Sequence, residues 1–264
     1  MIDIVTVAFE SELQVLRLQA RSLALFVTNI DSIVVVVNQD QACRIDTRWW
    51  GMYQHKVTVM HRNLFGSSWS PNGWVSQQAL KLLAASQCAS EWVVILDAKT
   101  IFVQDFELDE VRPTVGALDI YPVFEPSRDI ANALLGIDLQ QQLGPGGVPF
   151  VMNTQQARDM IVWIERHTGQ SFADWFQQQG RLTEFILYSA WIQYRTGSLN
   201  TIYNTETTNI IPVNVCHSEV AQFEQKLSQM PAANTVSIHR NAWTQLTDDQ
   251  QKQYQDFLHS RDIL

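Results

Sequence analysis

Apolar residues follow two rhythms along the chain. From Ile2 to Phe9 they alternate and then run together, as in a strand; from Ser11 to Phe26, Leu13, Leu16, Leu18, Leu23 and Leu25 recur at helical spacing with Arg17 and Arg21 outward. Ser11 is the expected N-cap of that helix. The run 32-SIVVVV-37 is too β-branched for a comfortable helix and is closed by 38-NQDQ-41, so it reads as a buried parallel strand. A third strand, 56-KVTVMH-61, follows a polar, tryptophan-bearing connection. The loop 66-GSSWSPNG-73 leads into an amphipathic helix from about Trp74 to Ser86, and 92-WVVILDAKTIFV-103 then carries a strand, Trp92 to Leu96, that runs straight into a carboxylate.

Further along, 114-TVGALDIYPVF-124 and 148-VPFVMN-153 read as strands, the second preceded by the permissive turn 144-GPGG-147. Helices are expected at about Thr154 to Thr168, with Thr154 as its cap, at Thr183 to Tyr194 and at Asp248 to His259; 235-TVSIH-239 is a last short strand. Strands alternating with helices at these spacings predict an α/β fold with a mainly parallel central sheet flanked by helices and a C-terminal helical extension. Right-handed crossovers line up the strand ends along one edge, where open α/β sheets bind ligands. Asp97 falls on that edge. A carboxylate ending a buried strand needs a partner, because an unpaired buried charge is costly. The plainer reading is an Asp that caps the following turn or pairs locally with Lys99.

Composition narrows the partners. With 264 residues, 46% hydrophobic and 17% charged, the chain suits one soluble domain with a sizeable core. A net charge of -9 and a pI near 5.1 argue against general binding to nucleic-acid backbones or anionic lipid. An anionic substrate would need a local basic cluster. Cys43, Cys88 and Cys216 lack metal or redox spacing and read as reduced thiols of a cytoplasmic protein. Neither a signal sequence nor an apolar run of about 20 residues is visible, which leaves peripheral membrane contact open. His55, His61, His167, His217 and His259 show no metal spacing with one another.

The order 74-WVSQQALKLLAAS-86, short loop, 92-WVVILDAKTIFV-103 resembles the core of GT-A-type glycosyltransferases, in which a lysine-bearing helix precedes a strand ending in Asp-x-Asp. In particular it is similar to a group of poorly characterised bacterial GT-A-like proteins with a strand and acidic loop like 7-VAFESEL-13, then Gly-Trp-x-x-Gln-Gln-x-x-Lys, the Asp-containing strand, and a segment like 183-TEFILY-188. The resemblance spans most of the chain. It implies a single GT-A-like domain, with residues 1–110 forming a nucleotide-donor half and 111–264 an acceptor half and C-terminal extension. The function it implies is transfer of a sugar from a nucleotide-sugar donor to a glycan or other hydroxyl acceptor.

Site residues follow from the same likeness. Phe9, Glu10 and Asn38 match the nucleotide-binding strand ends; Lys81 and Gln78 match donor contacts on the helix; Glu184 is the candidate general base, beside Asp97 in the catalytic set; and Asn153, by its place after the glycine-rich turn and strand, is a candidate acceptor or donor ligand. In such enzymes Asp-x-Asp and a late histidine hold Mn or Mg on the donor's diphosphate, which here points to Asp97 and His239. The second acidic position, however, is Lys99, which repels a cation. Two arrangements therefore compete: Asp97 and His239 with a metal, or Lys99, Lys81 and Arg240 in its place. Outside glycosyl transfer, the chain reads as a silent sugar-nucleotide or glycan-binding module. A haloacid-dehalogenase-like phosphatase also ends a buried strand on Asp, but Lys99 stands where its second Asp belongs.

Overall fold

In the computed structural model, residues 2–39, 45–110, 114–117, 124–144, 148–203 and 210–264 are described. The central sheet has five strands: β1 (Ile2–Ala8), β2 (Ile30–Val37), β3 (Val57–His61), β4 (Trp92–Asp97) and, after the two-residue β5 (Ile101–Phe102), β6 (Phe150–Asn153). Their spatial order is β6-β4-β1-β2-β3, with the first four in sequence mutually parallel and β6 antiparallel to β4. The chain thus builds outward from β1 on one side, then crosses back to lay β4 on the other. Such a reversal makes the carboxyl ends of β1 and β4, where Val7 lies beside Asp97, the switch point at which open α/β sheets bind ligands.

Every residue of β1 is buried, as a strand covered on both faces requires. Successive side chains point to opposite layers. Ile4, Val94 and Leu96 pack with Leu16, Ala20 and Leu23 of helix α1 (Leu13–Phe26); Val5, Val7, Val93 and Ile95 pack on the other side with α2 (Gly73–Gln87). The second layer is completed by α3 (Glu125–Leu135), α4 (Thr154–Thr168), α5 (Phe172–Gln179) and α6 (Glu184–Thr196). A smaller sheet joins β5 to β7 (Pro212–Val215) and β8 (Thr235–Ile238), packed with α7 (Phe223–Gln229), α8 (Arg240–Trp243) and α9 (Asp248–His259). Among the described residues no helix is long and apolar enough to cross a membrane.

Several expectations shift. Residues Glu10–Glu12 form a 3-10 turn, so α1 starts at Leu13 and Ser11 does not cap it. Instead the Glu12 carboxylate accepts the Phe9 N–H at 3.1 Å. Asn153, not Thr154, caps α4: its side-chain oxygen accepts the Gln156 N–H at 3.1 Å, an amide reaching a donor that the Thr154 hydroxyl does not. Of 114-TVGALDIYPVF-124, residues Thr114–Ala117 form a strand against Gln141–Gly144, while 118–123 lie outside the described residues, as do 145–147 of the glycine-rich turn and Cys43.

Candidate functional site

The alternation of β4 decides where Asp97 looks. Val93 and Ile95 face α2, so Asp97, two further on, faces α2 as well. There the ammonium of Lys81 sits 2.7 Å from Asp97 Oδ1 and 2.8 Å from Glu184 Oε1, while Lys99 Nζ lies 2.6 Å from Asp97 Oδ2. Glu184, Lys81, Asp97 and Lys99 form one chain of alternating charge leading outward. The side chains of Glu184 and Lys81 are 2% and 3% exposed, against 21% and 27% for Asp97 and Lys99, so only the outer half meets solvent. Gln78, one turn before Lys81, is buried against the same glutamate; the amide orientation that satisfies both turns its nitrogen to the two Glu184 oxygens.

Burial alone would raise the Asp97 carboxyl, but the Lys81 and Lys99 ammoniums outweigh it and hold the group well below the usual carboxylate range. Glu184 is sealed more deeply and shares one ammonium with Asp97; for it burial wins, and its value is raised. Burial opposes the charge of Lys81, yet its two carboxylate partners push it above the ordinary lysine range, so it stays protonated.

Around this chain the strand ends close in. The Phe9 ring lies against Gly73 so tightly that an added Cβ there would come within 2.8 Å of it. Gly73→Ala is therefore expected to cost about 1 kcal/mol by overpacking, and a double-mutant cycle with Phe9→Ala, read by urea unfolding, should recover most of the loss. Additive effects would mean that the ring does not rest there. Glu10 is exposed, with its N–H donating to Gln39 Oε1 at 3.0 Å. Asn38 is buried and its amide is used within the protein: the nitrogen donates to the Gly73 carbonyl (3.2 Å) and Ser76 hydroxyl (3.0 Å), and the oxygen accepts from Arg62 (3.2 Å). It ties β2 to the start of α2, with its side-chain amide engaged within the protein.

The C-terminal segment completes the edge. His239 follows β8 directly; its Nδ1 accepts the Asn241 N–H at 3.2 Å, and the packing around the ring, then the nearby Lys99 ammonium, lower its value, with Asp97 opposing. Arg240 reaches the Ser11 hydroxyl at 3.5 Å, bringing a guanidinium to the loop after β1. Sequence reasoning missed Glu12, whose carboxyl is raised by burial and senses Lys99, Asp97 and Lys81; its spacing from Phe9 is that of a capping box. It also missed Arg62, which follows β3 at the same edge.

Two assignments move away. Asn153 is not at this edge: because β6 is antiparallel, it pairs with Trp92 at the start of β4, roughly 16 Å from Asp97 at about 3.3 Å per residue. Glu184 is sealed behind Lys81, with no face for an acceptor hydroxyl, so its geometry is that of an anchor for the lysine. Nor do the side chains fit a divalent cation. Both Asp97 oxygens hold ammonium groups, and among the described residues no three His, Cys, Asp or Glu side chains are grouped to bind a metal.

An open, mainly parallel sheet with a chain of charged side chains at its switch point defines an α/β protein of the open-sheet class, whose usual ligand edge is at the carboxyl ends of β1 and β4. More particularly, the chain belongs to a family of unknown function (DUF6492), which it matches over residues 6–243. No curated protein matches it significantly. Among solved structures it is similar to the galactosyltransferase LgtC in complex with donor and acceptor sugar analogues, at 11% identity over 98% of this chain and 96% of that one (TM-score 0.45). It is also similar to the glycosyltransferase GlyE of Streptococcus pneumoniae, at 11% identity over 98% of this chain and 61% of that one (TM-score 0.46). Likeness this remote fixes neither donor, acceptor nor reaction.

Proposed function

We propose that the protein is a glycosyltransferase that moves a sugar from a nucleotide donor to a glycan or other hydroxyl acceptor in the cytoplasm, with lysines serving where a metal usually sits. The observation that carries this reading is the pair of ammonium groups fixed on one carboxylate at the carboxyl end of β4, beside that of β1. In the transfer, the acceptor oxygen bonds to the anomeric carbon, the bond to the diphosphate breaks, the nucleoside diphosphate leaves with the electron pair, and the acceptor proton passes to a base. The diphosphate gains negative charge as it departs, and preorganised cations lower that barrier. Lys99, partly in solvent, can exchange Asp97 for a donor phosphate; Lys81, held by Glu184, keeps Asp97 in place behind it. Arg240 stands at the same edge beside a His239 held towards its neutral form, and its guanidinium adds to the two ammoniums a local positive cluster in a chain of net charge -9.

A second reading, a binding module without turnover, is favoured by the sealing of Glu184, which leaves the matched base without access. The doubly paired Asp97 has no oxygen free to act as a nucleophile, which speaks against a phosphatase. A thermal-shift screen against uridine, guanosine, thymidine and cytidine sugar nucleotides, each with manganese and with a chelator, separates these readings. Stabilisation that survives the chelator, with release of nucleoside diphosphate, is the expected result. Stabilisation without release supports the silent module, and manganese-dependent stabilisation would overturn the lysine arrangement.

A further inference from the structure

Helix α1 carries Arg17, Arg21 and Leu25 at intervals of four, so all three lie in one row on its solvent face, and all are exposed. Against α1 packs the 3-10 stretch Thr47–Lys56, brought close by Gly51, where a φ of +49° favours glycine and an added Cβ would lie a tight 3.3 Å from Ala24 Cβ. This contact places Arg48 and Trp49 beside the row, and the five residues Arg17, Arg21, Asp46, Arg48 and Trp49 line a cleft of about 590 Å³. Trp49 lies half-buried over the fully buried Trp50, with ring centroids 6.2 Å apart. Two large apolar side chains stand out nearby, Leu25 at 46% and Met52 at 69% exposure.

Arg17 and Arg21 bring two guanidiniums to an acidic protein beside the Arg48–Asp46 pair, an excess of positive charge that suits an anion. Arg17 and Arg21, one turn apart, repel each other, and Asp46, which Arg17 also senses, is paired with Arg48 at 2.7 Å. A small soluble phosphate would be served by the guanidiniums and needs no projecting Leu or Met. An anionic bilayer uses both: guanidiniums meet headgroup phosphates, an indole suits the interface, and exposed aliphatic side chains enter the acyl boundary. We propose that the outer face of α1, with Arg48, Trp49 and Met52 of the adjoining stretch, docks the protein on membranes rich in anionic phospholipid. Because no described helix can span the bilayer, the contact is peripheral. It is also salt-sensitive, since salt screens the attraction between the exposed guanidiniums and the headgroup phosphates.

The test is co-sedimentation of the full chain with vesicles of equal parts phosphatidylglycerol and phosphatidylcholine, against phosphatidylcholine alone. Binding is expected only to the anionic vesicles and should weaken with added salt. The triple variant Arg17→Gln, Arg21→Gln, Arg48→Gln should bind on the order of a hundredfold more weakly, at about fivefold per arginine near the surface. Met52→Ser alone should lose about tenfold through the apolar side chain. These positions are exposed, so unchanged melting temperatures check that the fold persists. Absence of binding to anionic vesicles, or binding indifferent to the arginine variant, overturns the proposal. So does binding that ignores Met52→Ser, which reduces the face to a charge patch. Stabilisation by inorganic phosphate that the arginine variant abolishes, without vesicle binding, would reassign the cleft to a soluble anion.

Discussion

Lys81→Met lowers the stability of the protein by about 3–5 kcal/mol, because removing one partner of a buried ion pair strands the others. The ammonium lies between Asp97 and Glu184 and is 3% exposed, so no water replaces it. Methionine fills most of its length, ending one atom short of the ammonium, without its charge. Urea unfolding at neutral pH measures the loss, and its pH dependence tests the cause. In the parent protein Asp97 is held below its unfolded value, so its contribution is present in full above about pH 4 and fades only as the pH falls towards the folded value. Without Lys81, Glu184 is left with the burial that already raises it. The folded variant then holds a proton that the unfolded chain has released, and its stability should decline as the pH rises through that raised value. Adding Glu184→Gln removes the stranded charge while keeping an amide against Gln78, so the double variant should be more stable than Lys81→Met alone. Additive losses, or a variant as stable as the parent, would show that the chain of charges carries no energy.

Where sequence and structure agree, the agreement has a physical source. Runs such as 32-SIVVVV-37 and 92-WVVIL-96 are buried on both sides and cannot be mistaken for surface, and their alternation with helices set the parallel order that brings Asp97 to the ligand edge. Direction is another matter. The four residues Phe150–Asn153 are equally apolar read either way, so nothing local revealed that β6 runs antiparallel and carries Asn153 to the far end of β4. Nor does a lysine on an amphipathic helix announce that it points inward; Lys81 does so because Glu184, more than a hundred residues later, supplies the opposing charge. The smaller sheet was hidden for the same reason, since β5 is two residues long and gains its partners from β8. Pairings across long stretches of chain are written in the tertiary structure, while local rhythm gives only the elements.

That asymmetry shapes the last expectation, which concerns the outer two members of the chain of charges. Lys99→Met removes the ammonium that solvent reaches, and nucleotide-donor affinity should fall by about 10- to 100-fold, the worth of a charge-assisted hydrogen bond. If that ammonium also meets the departing diphosphate, kcat falls further, by about a hundred- to a thousandfold. Asp97→Ala should act in the opposite direction on binding. Lys81 keeps Glu184 as its partner, so the fold survives, and Lys99 is released from the carboxylate that occupies it. Donor affinity is then retained or improved while turnover is lost, because the freed lysine no longer has a fixed position. A carboxylate that ligated a metal would give the reverse: Asp97→Ala would abolish binding, and Lys99→Met, by removing a repelling charge, would strengthen it. Isothermal titration of the two variants with the donor found in the screen, in the presence of chelator and then of manganese, reads the sign directly. Loss of affinity in Asp97→Ala with a gain in Lys99→Met would overturn the lysine arrangement, and equal affinity in both would remove the charge chain from the donor site altogether.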